Sequence, residues 1–567
     1  MYEALALLGY ITAEETERNV GWATLLRELA DKSRAAQRAL PNVTQTPGSD
    51  RVPRAWLCIA AERLPEWQAV MGNVESDPVL QPPRDTTIRE REAALVEIVR
   101  GRLEGVGPTT AAQMAAQMHV SEAHVGGALL ALEAEGFAMR GQFTGMSGAT
   151  EWCDRRLLAR INRYTVKRLR DEIEPVSAAD FMRFLLGWQH VRHGERMDGP
   201  DAVAALVSQL EGYEAAAGAW EAEILPARMH SYDPAWLDDL CLSGRVLWTR
   251  LEAPRANPER ERGVSAVRGM PITLLTRKNL SVWSALVRSA GPDDLGLSSR
   301  ARSVADYLRE HGASFFDDIV QGLDLPRTFV EEALSELVGV GLVNSDGFSG
   351  LRALLLPSDR RKPFSGGGRR RSAMPGVEDA GRWALIRRRE PATDLALSRE
   401  SVEQIARTLL RRYGVVFWRV LAREADWLPP WRDLLLACRR LEARGEIRGG
   451  RFVAGFSGEQ FALPEAVGAL RAARRDEASE HDCVICGADP LNLAGILTPG
   501  MKVPGLHGNR LLLRHGVPAA AWIAGEAHYF EPMSPEQAWQ ARNLMLRASG
   551  VAAAQSQPSP DTARSPK

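Results

Sequence analysis

The apolar positions fall into one pattern that recurs along the chain: a helical run, a short turn, a second helical run that stops at a glycine, then a β-like stretch. It reads Ala128-Leu-Leu-Ala-Leu-Glu-Ala-Glu-Gly136-Phe-Ala-Met-Arg-Gly141, then Ala333-Leu-Ser-Glu-Leu-Val-Gly-Val-Gly341-Leu-Val. It returns as Arg439-Arg-Leu-Glu-Ala-Arg-Gly445-Glu-Ile-Arg-Gly-Gly450-Arg-Phe-Val, with a looser copy at Trp236-Leu-Asp-Asp-Leu-Cys-Leu-Ser-Gly244-Arg-Val-Leu-Trp248. Each glycine supplies the left-handed backbone that ends a helix, and the residues after it can pair as a hairpin. The copies lie roughly 100 residues apart, one small domain each and far too long a period for a solenoid.

Two further helices precede most copies. In the first copy Thr87 to Arg102 is amphipathic, Thr109 to Met118 is short, and Ser121 is placed to cap a third helix. Ser303 to His311, Phe315 to Gln321 and Pro326 to Gly341 repeat the scheme, as do Glu400 to Tyr413, Phe417 to Ala425 and Pro430 to Gly445. Three helices and a β-wing make a winged helix, so the expected fold is mainly α with small β-wings: tandem winged-helix domains followed by a small C-terminal β module. The boundaries read as a helical or mixed segment at 1–85, winged helix 1 at 86–150, and a basic helix with winged helix 2 at 151–252. A linker and β-containing connection at 253–297, winged helix 3 at 298–357, a basic linker at 358–397 and winged helix 4 at 398–464 follow. The β module takes 465–535, and 550–567, rich in Ser, Pro and Gln, reads as a disordered tail.

A length of 567 residues agrees with about four domains. The 71 basic residues against 72 acidic ones leave a net charge of −1, so any surface for a phosphate polymer must be local. Six scattered cysteines fit a reducing compartment, and with no long apolar run or leader the chain is expected in the cytoplasm and off the membrane. Tyr2-Glu-Ala-Leu-Ala-Leu-Leu-Gly9 reads as the middle of a helix, as though the frame opened inside a longer polypeptide.

The chain holds no G-x-x-x-x-G-K-[ST] loop, and Gly366-Gly-Gly368 is followed by arginines, as in a linker. ATP hydrolysis is therefore not expected of this chain alone, and no cofactor is called for. The strongest chemical signal is Asp154 to Arg170, where Arg155, Arg156, Arg160, Arg163, Lys167, Arg168 and Arg170 face a single acid, Asp154. Arg156, Arg160, Arg163, Lys167 and Arg170 step by four, three, four and three along one helix face, a stripe that can follow a phosphate backbone. The plainer reading is a solvated face, or partners for the acids in Asp171-Glu-Ile-Glu174. Arg432, Arg439, Arg440, Arg448 and Arg451 give the last winged helix a DNA-facing character, whereas the first recognition helix, Ser121-Glu-Ala-His-Val-Gly-Gly-Ala, is not basic. Arg360-Arg-Lys362, Arg369-Arg-Arg371 and Arg387-Arg-Arg389 suit electrostatic tethering. Trp383, Trp418, Trp427 and Trp431 could stack on unpaired bases, with core packing as the simpler role. Cys483-Val-Ile-Cys486 beside His481 could supply half a zinc site, but the spacing to His507 and His515 is not that of a finger, so two thiols and no metal are expected.

From Glu151-Trp-Cys-Asp-Arg-Arg through Asp180-Phe-Met-Arg-Phe-Leu-Leu-Gly-Trp-Gln-His190 the chain closely resembles the large helicase-related (Lhr) family of bacterial superfamily 2 helicases. The resemblance continues at Gln209-Leu-Glu-Gly-Tyr213, Ile224-Leu-Pro-Ala-Arg228, Arg411-Arg-Tyr-Gly-Val-Val-Phe-Trp418, Ser457-Gly-Glu-Gln-Phe-Ala-Leu-Pro464 and Asp489-Pro-Leu-Asn-Leu493. It covers the C-terminal region of that family without the RecA-like motor, and so implies DNA (or an RNA–DNA hybrid) and a separately encoded Lhr-type motor as partners. The architecture is similar to that of tandem winged-helix DNA glycosylases, whose catalytic signature is a Gln-x-Gln or Gln-x-Asp pair. Gln209-Leu210-Glu211 falls in a comparable place with Glu in the second position, and Asp489 is a further candidate. Two functions stay open: a DNA-engaging region acting in repair, or a glycosylase that excises a damaged or deaminated base such as uracil. A transcriptional regulator fits four unequal copies less well.

Overall fold

The computed structural model describes residues 1–39, 56–72, 76–81, 90–145, 148–171, 173–251, 267–286, 296–355, 376–379, 381–386, 397–475 and 482–554. Two compact units divide the chain, Met1–Leu169 and Arg170–Lys567.

The first unit opens with the helix Tyr2–Leu8, ended by Gly9 at φ 80°. A four-stranded sheet follows, in the order Ile11–Thr12, Trp56–Ala60, Ala35–Ala39, Ser76–Asp77. Trp67 is fully buried, and its indole N–H donates to the Gly9 carbonyl at 3.1 Å. The first winged helix comprises helices Arg91–Gly105, Ala111–Met118 and Glu122–Ala134. Thr110 and Gln113 cap the second helix reciprocally, and the Ser121 hydroxyl accepts from the His124 amide at the start of the third. Ile98, Val99, Leu103, Met114, Met118, Val125, Leu129 and Leu132 close the core. Each such buried side chain contributes about 1.5–3 kcal/mol, and Leu129→Ala would cost about 2–5 kcal/mol.

Three more winged helices lie in the second unit, and all four share one sheet plan. A two-residue strand ahead of the second helix pairs with the far strand of the wing, which pairs in turn with the near strand. The trios are Thr109–Thr110, Glu151–Asp154, Ala138–Gly141; Ala215–Ala216, Pro271–Thr276, Val246–Thr249; Ser314–Phe315, Arg382–Leu385, Val343–Ser345; and Val415–Val416, Gln460–Ala462, Arg448–Gly450. Gly136, Gly244, Gly341 and Gly445 all adopt φ between 72° and 76°, so the glycines that punctuate the sequence pattern are the helix stops.

Two segments read as connections carry structure. The far wing strand Pro271–Thr276 lies beyond residue 252, in the stretch read as a linker and β-containing connection, and Arg382–Leu385 lies beyond residue 357, in the stretch read as a basic linker. Buried partners across the sheet, such as Trp248 opposite Leu274 and Ser345 opposite Trp383, hold them there. Likewise Pro464–Arg475, assigned to the β module, is a helix that buries Ala466, Val467, Leu470 and Ala473 and packs on the helix Ala178–Trp188. The β module itself is an antiparallel meander of Cys483–Cys486, Arg510–Arg514, Val517–Ile523 and Glu526–Tyr529. The helix Pro535–Ala554 packs on it through Ala541 and Met545. The basic clusters at 360–362, 369–371 and 387–389, His481 and most of the tail fall outside the described residues.

All six cysteines are buried and unpaired. Burial pushes the Cys58, Cys241 and Cys438 thiols up to about 12 and raises Cys483 and Cys486 as well. Among the described residues no helix is long and apolar enough to cross a membrane, and no three His, Cys, Asp or Glu groups gather as a metal site.

Candidate nucleic-acid interface

The basic segment forms the helix Arg155–Asp171. Just before it, the buried Asp154 carboxylate accepts from the Leu157 amide at 2.6 Å. Along the described part of this helix no side chain is fully buried, and Tyr164 is 69% exposed among the cations. Arg155, Arg156, Arg160, Arg163 and Lys167 are exposed with no acid partner among the described residues. Arg168 is exposed but engaged. Glu174, one of the acids that could have neutralised the stripe, pairs instead with Arg474 at 2.8 Å.

Arg170 departs from its neighbours on this stripe. Its guanidinium donates to the Glu442 carboxylate through both Nε (3.0 Å) and Nη2, while Glu442 also accepts from the Gly449 amide at 3.0 Å. This raises the Arg170 pKa and ties the residue to the helix Trp431–Ala443 and to the wing after it.

The last winged helix is less cationic than its sequence suggests. Arg439 is held by Glu459 through two hydrogen bonds at 3.1 and 2.8 Å. Arg440 donates to Glu403 at 2.6 Å, and Arg444 bridges Glu403 and Glu446. Hydrogen bonds from Arg444 and Arg440 hold the Glu403 carboxyl below the usual range, and Arg439 does the same for Glu459. Arg439 and Arg440, expected to face DNA, are each paired with a carboxylate that a phosphate would have to displace. Arg432 is 85% exposed beside Asp433, and Arg448 and Arg451 on the wing are exposed without an acid partner among the described residues. Of the tryptophans, Trp383 is fully buried, Trp427 and Trp431 pack against a core, and Trp418 is 48% exposed with Arg419 over its ring.

Glu211 and Asp489 are joined by one polar network, and Gln209 stands outside it. Glu211 is fully buried, and its carboxylate accepts from the Thr276 amide (3.0 Å), the Thr276 hydroxyl (2.7 Å) and the Asn279 amide nitrogen (3.1 and 2.9 Å). The turn after it needs Gly212, at φ 79°, because a Cβ there would lie 2.3 Å from the Trp283 ring. The Glu211 carbonyl accepts from Arg412, the Arg412 carbonyl from Gln189 (2.9 Å), and the Gln189 carboxamide oxygen from Arg228 (2.8 Å). Arg228 then meets Asp489 in a two-pronged pair at 2.8 and 2.9 Å, both residues at most 1% exposed. Gln209 alone reaches an open cavity, with its Nε2 donating to the Trp188 carbonyl at 2.8 Å.

Residues 176–267 and 396–482 each match a model described as a winged-helix domain of the large helicase-related protein, the third and the fourth such domain respectively. These two matches make the chain similar to the winged-helix region of the Lhr family. It is 27% identical over 411 residues to the Lhr helicase/probable uracil glycosylase of Mycolicibacterium smegmatis, covering 69% of this chain and 26% of that protein. It is also 27% identical over 547 residues to the Lhr helicase/uracil glycosylase of Escherichia coli K12, covering 88% of this chain and 32% of that protein. The chain thus spans about a quarter to a third of the length of the curated Lhr relatives it matches.

Proposed function

We propose that this Lhr-like region engages single-stranded or damaged DNA in the cytoplasm during DNA repair, through the basic helix Arg155–Asp171, in the service of a separately encoded Lhr-type helicase motor. The observation that carries the reading is the row of five exposed cations without acid partners among the described residues. Such a row is costly in self-repulsion and gains by releasing counterions from a phosphate backbone. Tyr164 adds a ring on which an unpaired base can stack. The wing cations Arg448 and Arg451 offer a second, smaller contact. The test is fluorescence anisotropy of a labelled single strand, a nicked duplex and an RNA–DNA hybrid titrated with the chain across a salt series. Weak binding that ignores salt would sink the proposal.

A second reading is excision of uracil or another altered base by hydrolysis of the N-glycosidic bond. Both curated relatives are named as uracil glycosylases, one as probable. Gln209 is the member of the candidate trio that lines open space, while chemistry by Glu211 or Asp489 requires the buried network to open. Incubation with uracil-containing DNA followed by alkali decides it: strand cleavage supports this reading, and intact DNA removes it.

A further inference from the structure

In the second unit a cavity of about 600 Å³ opens where the helices Ala178–Trp188, Pro200–Gln209 and Pro464–Arg475 meet Arg411 near the end of Arg399–Tyr413. That volume lies within the range of about 300–1,000 Å³ typical of small-ligand pockets. Its wall carries two rings, Phe184 and Trp188, 5.4 Å apart and inclined by 30°. The Trp188 indole is pinned at its edge, its Nε1 donating to the Arg411 carbonyl at 2.9 Å.

Gln209 is the polar group of interest. Its side chain is only 9% exposed, and the bond to the Trp188 carbonyl uses one N–H. The carboxamide oxygen and the second N–H have no partner among the described residues. A buried carboxamide with a spare donor and a spare acceptor side by side complements the amide or imide edge of a nucleobase.

The charges on the lining point the same way. Arg183 is taken up by Asp180 and by the Ala473 and His515 carbonyls. Arg192 lies 3.6 Å from Glu195, whose carboxylate sits so close to Gly187 that a Cβ there would be 2.7 Å from its oxygen. Arg411 makes only long contacts, 3.4 and 3.3 Å, to the Ser208 carbonyl and hydroxyl, and has no acid partner among the described residues. The cavity therefore combines an aromatic wall, a carboxamide and one uncompensated guanidinium.

We propose that this cavity binds a single unpaired nucleotide, with the base against Trp188, its polar edge read by Gln209 and its phosphate held by Arg411. The proposal rests on the reading that this region engages DNA, and adds where one nucleotide of that DNA lodges.

The experiment is calorimetric titration of the full chain with dUMP and with deoxyuridine, next to anisotropy of a labelled oligothymidylate. The variants are Gln209→Leu, Arg411→Gln and Ala469→Trp, the last filling the cavity from an exposed helix position. At least tenfold weaker dUMP binding is expected in each, and Arg411→Gln should leave deoxyuridine binding unchanged. No dUMP binding by the wild-type chain, or equal binding by Ala469→Trp with an unchanged circular dichroism spectrum, overturns the proposal. Oligothymidylate binding that persists in that case shows that the pocket alone has failed. Its loss in the wild-type chain takes the DNA reading down as well.

Discussion

Arg228 and Asp489, 261 residues apart, meet as a two-pronged ion pair in the interior of the second unit. The pair joins the segment that matches the third Lhr winged-helix domain to the C-terminal meander, and Gln189, the Ile224 carbonyl and the Leu491 amide add hydrogen bonds to it. Removing one member leaves the other charged and dry. Arg228→Met should therefore destabilise the chain by about 3–5 kcal/mol in urea unfolding, and Arg228→Met with Asp489→Leu should restore a large part of that loss. If the double variant is as unstable as the single one, shape and not charge is what the pair supplies.

The two basic surfaces should respond differently to salt. Arg163→Ala and Lys167→Ala each remove an unpaired cation, so each should lower the slope of log binding constant against log salt by about 0.7 for a single strand. Arg439→Ala removes a guanidinium already neutralised by Glu459, and its slope should match that of the wild-type chain. Anisotropy between about 50 and 200 mM salt measures all three. An equal loss of slope for Arg439→Ala would mean that its ion pair opens on DNA.

Glu223 sets a pH dependence. Burial pushes its carboxyl up to about 7, outweighing the attraction of Arg510. The folded chain thus holds this proton more tightly than the unfolded chain, whose carboxyl titrates near 4.5. The contribution favours folding below pH 4.5 and fades as pH rises toward 7. From about pH 5 to 8 the melting temperature of the wild-type chain should fall relative to that of Glu223→Gln. Parallel curves would count against it.

Glu211→Gln tests whether that residue is structural. The new amide group would turn a donor toward Asn279 or Thr276, which already donate, at a cost of about 1–3 kcal/mol. A lower melting temperature is expected, and any base excision should be lost only as the fold is lost. Abolished excision at an unchanged melting temperature would make Glu211 catalytic after all.

The winged helices were legible because helix, glycine and strand follow one another locally, as at Gly136 and Gly445. The far wing strands were harder to place: Pro271–Thr276 and Arg382–Leu385 follow long polar stretches, and each pairs with only three or four residues of its near strand. The basic helix could be read from its three- and four-residue steps, whereas neutralisation of Arg439 and Arg440 depends on Glu459 and Glu403, 20 and 37 residues away. Gln209 and Glu211 are two positions apart in sequence, yet one lines a cavity and the other is sealed against Thr276 and Asn279, partners 65 and 68 residues away in the chain.

The burial of all six cysteines has a practical meaning. Thiolates are the species that react with maleimides, and native sulfurs that are shut away and hold their protons tightly should be silent to such reagents while the chain is folded. A single cysteine introduced at an exposed position such as Ala159 would then be the one reactive handle on an otherwise unmodified surface. A dye or crosslinker placed there could report directly on whatever approaches the basic helix.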